Sequence, residues 1–260
     1  LFPPPATITL VGNGASFTGN NSNAKNLHGD DQCGTVAPKP VVAVSHLADV
    51  GAVQGSINSS KPDTYHTKDE YGNDVTASID PDAIAMKIPA SMLMYIKTTY
   101  NIDLLDVADL NGLVTKLKKI ADTVAPGGSN ATSVDVGAPG DTKVVVVTGD
   151  FSLNGNGAGI LTVTGELIFN GNVNYDGVIL VIGEGSMRRN GAGNGSISGF
   201  ILVANTQGPD GIPGTGDDVL GPPIFDTSGG GNSNVDYCST AINNALGGLP
   251  LSPLTFRHYF

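Results

Sequence analysis

The chain has 260 residues, 40% of them hydrophobic, with Gly at 36 positions and no Trp. Only 14% are charged, about half the usual quarter, and the formal net charge is −11. That balance excludes a surface built to hold nucleic acid, because a phosphate backbone is repelled by it, and no apolar stretch reaches the roughly 18 residues of a membrane span.

The chain opens on Leu1 rather than Met, which reads as processing or truncation, with any export signal or anchor lost from view. Leu1, Phe2, Pro3, Pro4 and Pro5 form an extended arm, since consecutive prolines favour polyproline II. The next run, TLVGNGASFTGN, reads as two short strands joined by a Gly turn. Residues 1–34 are therefore an arm and a first β unit. Residues 35–139 read as an insert of helices and loops. VVAVSHLADVGAVQGSI starts as a strand and passes into a helix capped by Ser45. A polar stretch follows, with a hairpin at Gly72 and Asn73, and then a short helix over ASMLMYIKTTYN. In DLNGLVTKLKKIADTVAPGG the residues Leu110, Leu113, Val114, Leu117, Ile120 and Val124 recur at helical spacing. Asp109 is placed to cap that helix, and Pro126 with Gly127 to end it.

From residue 140 to 260 the chain repeats itself. VTGDFSLNGN from Val147 is followed at an offset of 16 by VTGELIFNGN from Val163, and more loosely at 18 by VIGEGSMRRNG from Val181. Phe200 to Ala204 opens a further unit. Self-similarity near 20 residues is a solenoid signature. The apolar runs Val144–Val147 and Val178–Ile182 do not alternate, which fits strands covered on both faces. Asn and Gly recur at the corners (Asn154 with Gly155, Asn170 with Gly171, Asn190 with Gly191), where left-handed backbone is tolerated and stacked Asn side chains can bond along the axis. The expected fold is mainly β: a parallel β-helix-like solenoid with a helical insert packed on its flank. An antiparallel sandwich with Asn-Gly hairpins is the competing arrangement. A last short strand, a short helix and a closing strand over PLTFRHYF complete the chain.

The order of these motifs carries a resemblance. TITLVGNGASFTGNNSNAKNLHGDDQCG, the repeat block, GNGSISGFILVANT, DYCSTAIN and the terminal FRHYF together resemble the extracellular Gly-rich domain of bacterial PilX-like type IV pilus-assembly proteins, which are minor-pilin-like. The match is good at the start and over the last half, and vague over the insert. It implies a pilus or surface-filament setting and carries over no catalytic residues. The N-terminal hydrophobic helix of that pattern is not in this chain.

Cys33 and Cys238 are the only cysteines. Both sit among Gly, Asp, Gln and Ser rather than in apolar runs, which favours a disulfide over two free thiols and implies an oxidising compartment. In GPDGIPGTGDD, Asp210, Asp217 and Asp218 offer oxygen ligands to Ca²⁺, against a solvated Gly-Pro loop. HGDDQC lacks the partner spacing of a zinc site and reads as a polar turn leading to the disulfide. Asp150 and Glu166 hold the same repeat position and Glu184 a loosely equivalent one, as an acid pair, a cation ladder or a solvated row. Asn58, Asn130 and Asn194 stand in glycosylation triplets, which matter only in a glycosylating host. The expected protein is a non-enzymatic structural subunit of a bacterial cell-surface pilus or extracellular filament, self-associating or joining pilus subunits; the open ends of its stack are either capped by the insert or the terminal strand, or completed by another subunit with the LFPPPATITL arm as donor strand. Two other readings stay open: an adhesin recognising a glycan or surface, and, further off, a polysaccharide-acting enzyme.

Overall fold

The computed structural model describes residues 1–130, 133–190, 193–208, 210–212, 215–229 and 231–249. The expected closing strand, PLTFRHYF, lies outside the described residues, as do Asn190's corner partner Gly191 and the terminal His258. In chain order the strands β1 (Ile8–Val11), β2 (Ser16–Thr18), β3 (Leu27–His28) and β4 (Val42–Val44) precede helix α1 (Leu47–Asn58). Then come β5 (Tyr65–Lys68), β6 (Asp74–Thr76), α2 (Pro81–Ile84), β7 (Ala85–Lys87), α3 (Ala90–Tyr100) and α4 (Val107–Ile120). The remainder is β8 (Thr123–Pro126), β9 (Ser129–Asn130), β10 (Val144–Thr148), β11 (Phe151–Val163), β12 (Glu166–Gly183), β13 (Ser186–Asn190), β14 (Gly195–Asn205), β15 (Ile224–Asp226), β16 (Ser233–Tyr237) and α5 (Ser239–Gly247).

The protein is mainly β, with one large, mostly parallel sheet. Its strands fall into three ladders. In the first, Val145, Leu161, Ile179, Ile201, Ile8, Val42 and Ala85 share one row. In the second the row is Phe151, Leu167, Met187, Phe225 and Phe17. In the third it is Gly157, Tyr175, Ile197, Val235, Leu27 and Tyr65. All but Gly157 belong to a single buried apolar cluster. Within the named strands the β5–β6 hairpin, turning at Gly72 and Asn73, is antiparallel. The 16-residue offset of the repeat holds between Phe151 and Leu167 and becomes 18 between Ile160 and Val178, the register shifting at the Asn154–Gly155 corner.

The uninterrupted apolar runs are buried from both sides. Val145 and Val147 face the cluster within, whereas Val144 and Val146 join a second cluster with Leu110, Leu113, Val114 and Leu117 of α4 and Ile242 and Ala245 of α5. Burying one such side chain is worth about 1.5–3 kcal/mol, so the helices are needed to keep this face of the first ladder from water.

The layers are not stacked in chain order. β1 sits between β14 and β4, β3 sits between β16 and β5, and β2 pairs with β15 at the end of its ladder. Within the single chain β1 is paired along both edges, and Phe2 of the arm is buried edge-on against Phe200 at 6.3 Å. Caps also move. His46, not Ser45, stands at the N-cap of α1, and the Ser45 hydroxyl bonds the Gly12 carbonyl instead. Asp106, not Asp109, caps α4 by accepting the Asp109 N–H. α4 stops at Ile120, and Val124 lies in β8, where pairing with β10 outweighs its helical spacing.

Candidate functional site

Sites on such a sheet arise where chain corners line up. The corners between the first and second ladders are Thr148 to Asp150, Thr164 to Glu166 and Gly183 to Gly185. They lie close together. A Cβ on Gly183, whose φ is +146°, would stand 2.1 Å from the Thr164 carbonyl oxygen. The Gly149 N–H donates to the Thr164 hydroxyl at 2.9 Å, and the Glu166 N–H to the Asp150 carboxylate at 2.9 Å.

Beside this row, α4 contributes Asn111, Thr115 and Lys118, and the loop after β14 contributes Gln207 and Gly211. Together with Asp150 and Glu184 they line a cleft of about 570 Å³. Asn111 clasps the loop to the helix: its carbonyl accepts the Thr206 hydroxyl at 2.8 Å and its amide donates to Asp218 at 3.3 Å. Glu166 is turned to Arg188 at 2.7 Å and also accepts from Ser186. Glu184 has its carboxyl pushed above the usual range, first by burial and then by the negative charges of Asp150 and Glu166. The expected row of three is thus divided. Asp150 and Glu184 line the cleft with Lys118 and several hydroxyl and amide groups, and Glu166 is tied into an ion pair. This lining can hydrogen-bond a hydroxyl-rich or cationic ligand, and no aromatic ring stands among the described residues that line it.

Asp210 and Asp217 are engaged within their own loop, and Asp218 is shared between that loop and Asn111 of α4. Asp210 accepts from the Ile212 N–H, and the Thr215 hydroxyl donates to Asp217 at 2.6 Å and to Asp218 at 3.4 Å. Among the described residues no group of three or more His, Cys, Asp or Glu is gathered as metal ligands. Cys33 and Cys238 form a disulfide, Cα to Cα 5.3 Å. In HGDDQC, Asp31 accepts both the N–H and the hydroxyl of Ser239, while His28 Nδ1 lies 2.7 Å from Asp236. Asn side chains do bridge layers: Asn174 donates to Asn156 at 2.9 Å, and Asn172 and Asn174 accept the N–H groups of Asn194 and Ser196.

Sequence reasoning missed the part α4 plays in the cleft. The polar positions Asn111, Thr115 and Lys118 stand at three- and four-residue spacing beside the apolar stripe, which is the signal that was there to read. It also missed Lys25, 2% exposed, and Arg189, whose inward direction follows only from its pairing with Phe169. No helix among the described residues is long and apolar enough to cross a membrane. The chain matches no protein-family model, no curated protein and no solved structure.

Proposed function

We propose that this chain is a non-enzymatic structural subunit of a bacterial surface pilus or extracellular filament, its body a parallel β-helix-like solenoid with the helical insert on its flank. The observation that carries the reading is the continuity of the three ladders through N-terminal and C-terminal layers alike. Stacked layers held by neighbours on both sides resist local opening, which is what a part under tension requires. The Cys33–Cys238 disulfide supports an oxidising, extracytoplasmic setting. With β1 committed inside its own sheet, self-association runs through the outer edges of the stack, at β8 and β7, which each pair on one side. Immunogold electron microscopy of cells that make the protein should label surface filaments. Protein recovered from the cytoplasm with both thiols free would end this reading.

A second reading has the α4 cleft behind it: a surface adhesin that holds a glycan between Lys118 on one wall and Asp150 with Glu184 on the other. Glycan-array binding that is lost in Lys118→Ala would establish it. Turnover of an acidic polysaccharide, lost in Asp150→Asn, would establish the enzymatic alternative instead. The Asp210–Asp218 loop adjoins this cleft through Gly211, so calcium, if the loop binds it, would act here. Calorimetry showing neither heat nor a raised melting temperature on adding Ca²⁺ removes that part.

A further inference from the structure

In the second ladder, inward-facing side chains are apolar: Phe151 and Leu153, then Leu167 and Phe169, then Met187. The next inward slot, paired with Phe169, is held by Arg189. Its guanidinium reaches the Gly193 carbonyl at 3.1 Å, but its buried Nε has no hydrogen-bond partner among the described residues. Beside it, from the connection between β2 and β3, comes Lys25, 2% exposed, whose ammonium donates to the carbonyls of Thr227, at 2.8 Å, and Gly229. Lys25, Arg189 and Asp226 line one small cavity with Leu27, Phe169 and Met187. Two cations face one carboxylate there, leaving one positive charge unbalanced in a chain with only 13 Lys and Arg. Lys25 is buried and Arg189 half-buried, and a charge held from water without a counter-charge is costly.

We propose that this cavity is a binding site for a single monatomic anion of chloride size, held between the Arg189 Nε–H and the Lys25 ammonium. The space is about 20 Å³, enough for one particle near the size of water and too small for phosphate or sulfate. A water molecule could accept from Nε but would leave the charge unbalanced. Burial and the charge of Arg189 both pull the Lys25 pKa down, and an anion between the two opposes that pull. The position gives the ion a structural task. Lys25 belongs to the N-terminal layer, Thr227 and Asp226 to the layer below it, and Arg189 to the layer below that. The anion therefore joins three layers across the boundary where chain order is broken.

Two measurements on the full chain test this. The first is thermal unfolding against chloride at constant ionic strength, with a large organic anion making up the balance. Wild-type protein should gain about 5 °C at a chloride concentration about 100 times Kd, the rise following the logarithm of chloride above Kd. Arg189→Phe, which copies the residue of the neighbouring slot, should fold and lose the dependence. The second is anomalous scattering from crystals grown in bromide, with a peak expected between Lys25 and Arg189. A peak without any chloride-dependent rise in melting temperature means an adventitious ion only and overturns the proposal. So does a site holding water alone, or a flat chloride response in wild type.

Discussion

Cutting the Cys33–Cys238 bond should weaken one layer boundary more than any other. The two cysteines are 205 residues apart, and the bond lies beside the β3–β16 pairing, where Leu27 meets Val235 and His28 meets Asp236. In the chain-entropy model, closing a loop of that length is worth about 5 kcal/mol. The unfolding entropy of a chain of this size is about 0.55 kcal/mol per degree, so the loss corresponds to about 9 °C in melting temperature. Serine at both positions is the cleaner perturbation. A serine hydroxyl in place of the Cys238 sulfur would keep an acceptor for the Ala241 N–H, which Cys238 now caps at 3.2 Å. Calorimetry of the Cys33→Ser/Cys238→Ser protein gives the total loss, and hydrogen exchange locates it. Faster exchange should appear in β1, β2, β3 and their partners β14, β15 and β16, while β10 and β11 stay protected. A loss below about 1 kcal/mol, or faster exchange confined to β8 and β10, would refute the reasoning, because the bond would then not be what holds the boundary shut.

Three further outcomes follow from single contacts. Phe2→Ala should cost about 3 kcal/mol in chemical denaturation, since the ring is buried on Phe200; an unchanged midpoint would mean the arm is loosely held. Gly183→Ala should cost at least about 2 kcal/mol, because the new Cβ meets the Thr164 carbonyl at a backbone angle side chains avoid, whereas Gly51→Ala in α1, with open space around it, should be neutral or stabilising. Glu184→Gln should stabilise the protein near neutral pH. The folded state raises this carboxyl's pKa, so its penalty appears as pH climbs through the unfolded value and the folded one, and melting curves of variant and wild type should coincide below about pH 4.

How far the residues themselves disclosed this arrangement depends on whether a pattern was local. The runs Val144–Val147 and Val178–Ile182 announce strands covered on both faces, since a half-exposed strand would alternate. The stripe Leu110, Leu113, Val114 and Leu117 announces the helix that does the covering. The ends of that helix were harder to read. Val124 continues the helical spacing, yet pairing with Val146 draws it into a strand, a tertiary preference that no window of sequence contains. The cleft was half legible. Asp150, Glu166 and Glu184 mark equivalent corners, but that Arg188 removes Glu166 from the row depends on side-chain direction in the register of β12 with β13.

The order of the layers was not legible at all, and it explains features that look unrelated. Nothing in ITLV says that it pairs with residues some two hundred positions away rather than with the strand that follows it. A boundary between layers remote in sequence has no short corner linking its two sides, so the chain itself does little to keep them together. That boundary is where the disulfide lies, where Lys25 reaches across to Thr227 and Gly229, where His28 meets Asp236, and where Phe17 stacks on Phe225 at 5.7 Å. Boundaries between consecutive layers, such as β11 on β12, rely on ladder bonds, apolar rows and Asn side chains. Cross-links of several kinds have gathered where connectivity is absent, so removing any one of them should loosen β1, β2 and β3 together before the repeat block yields.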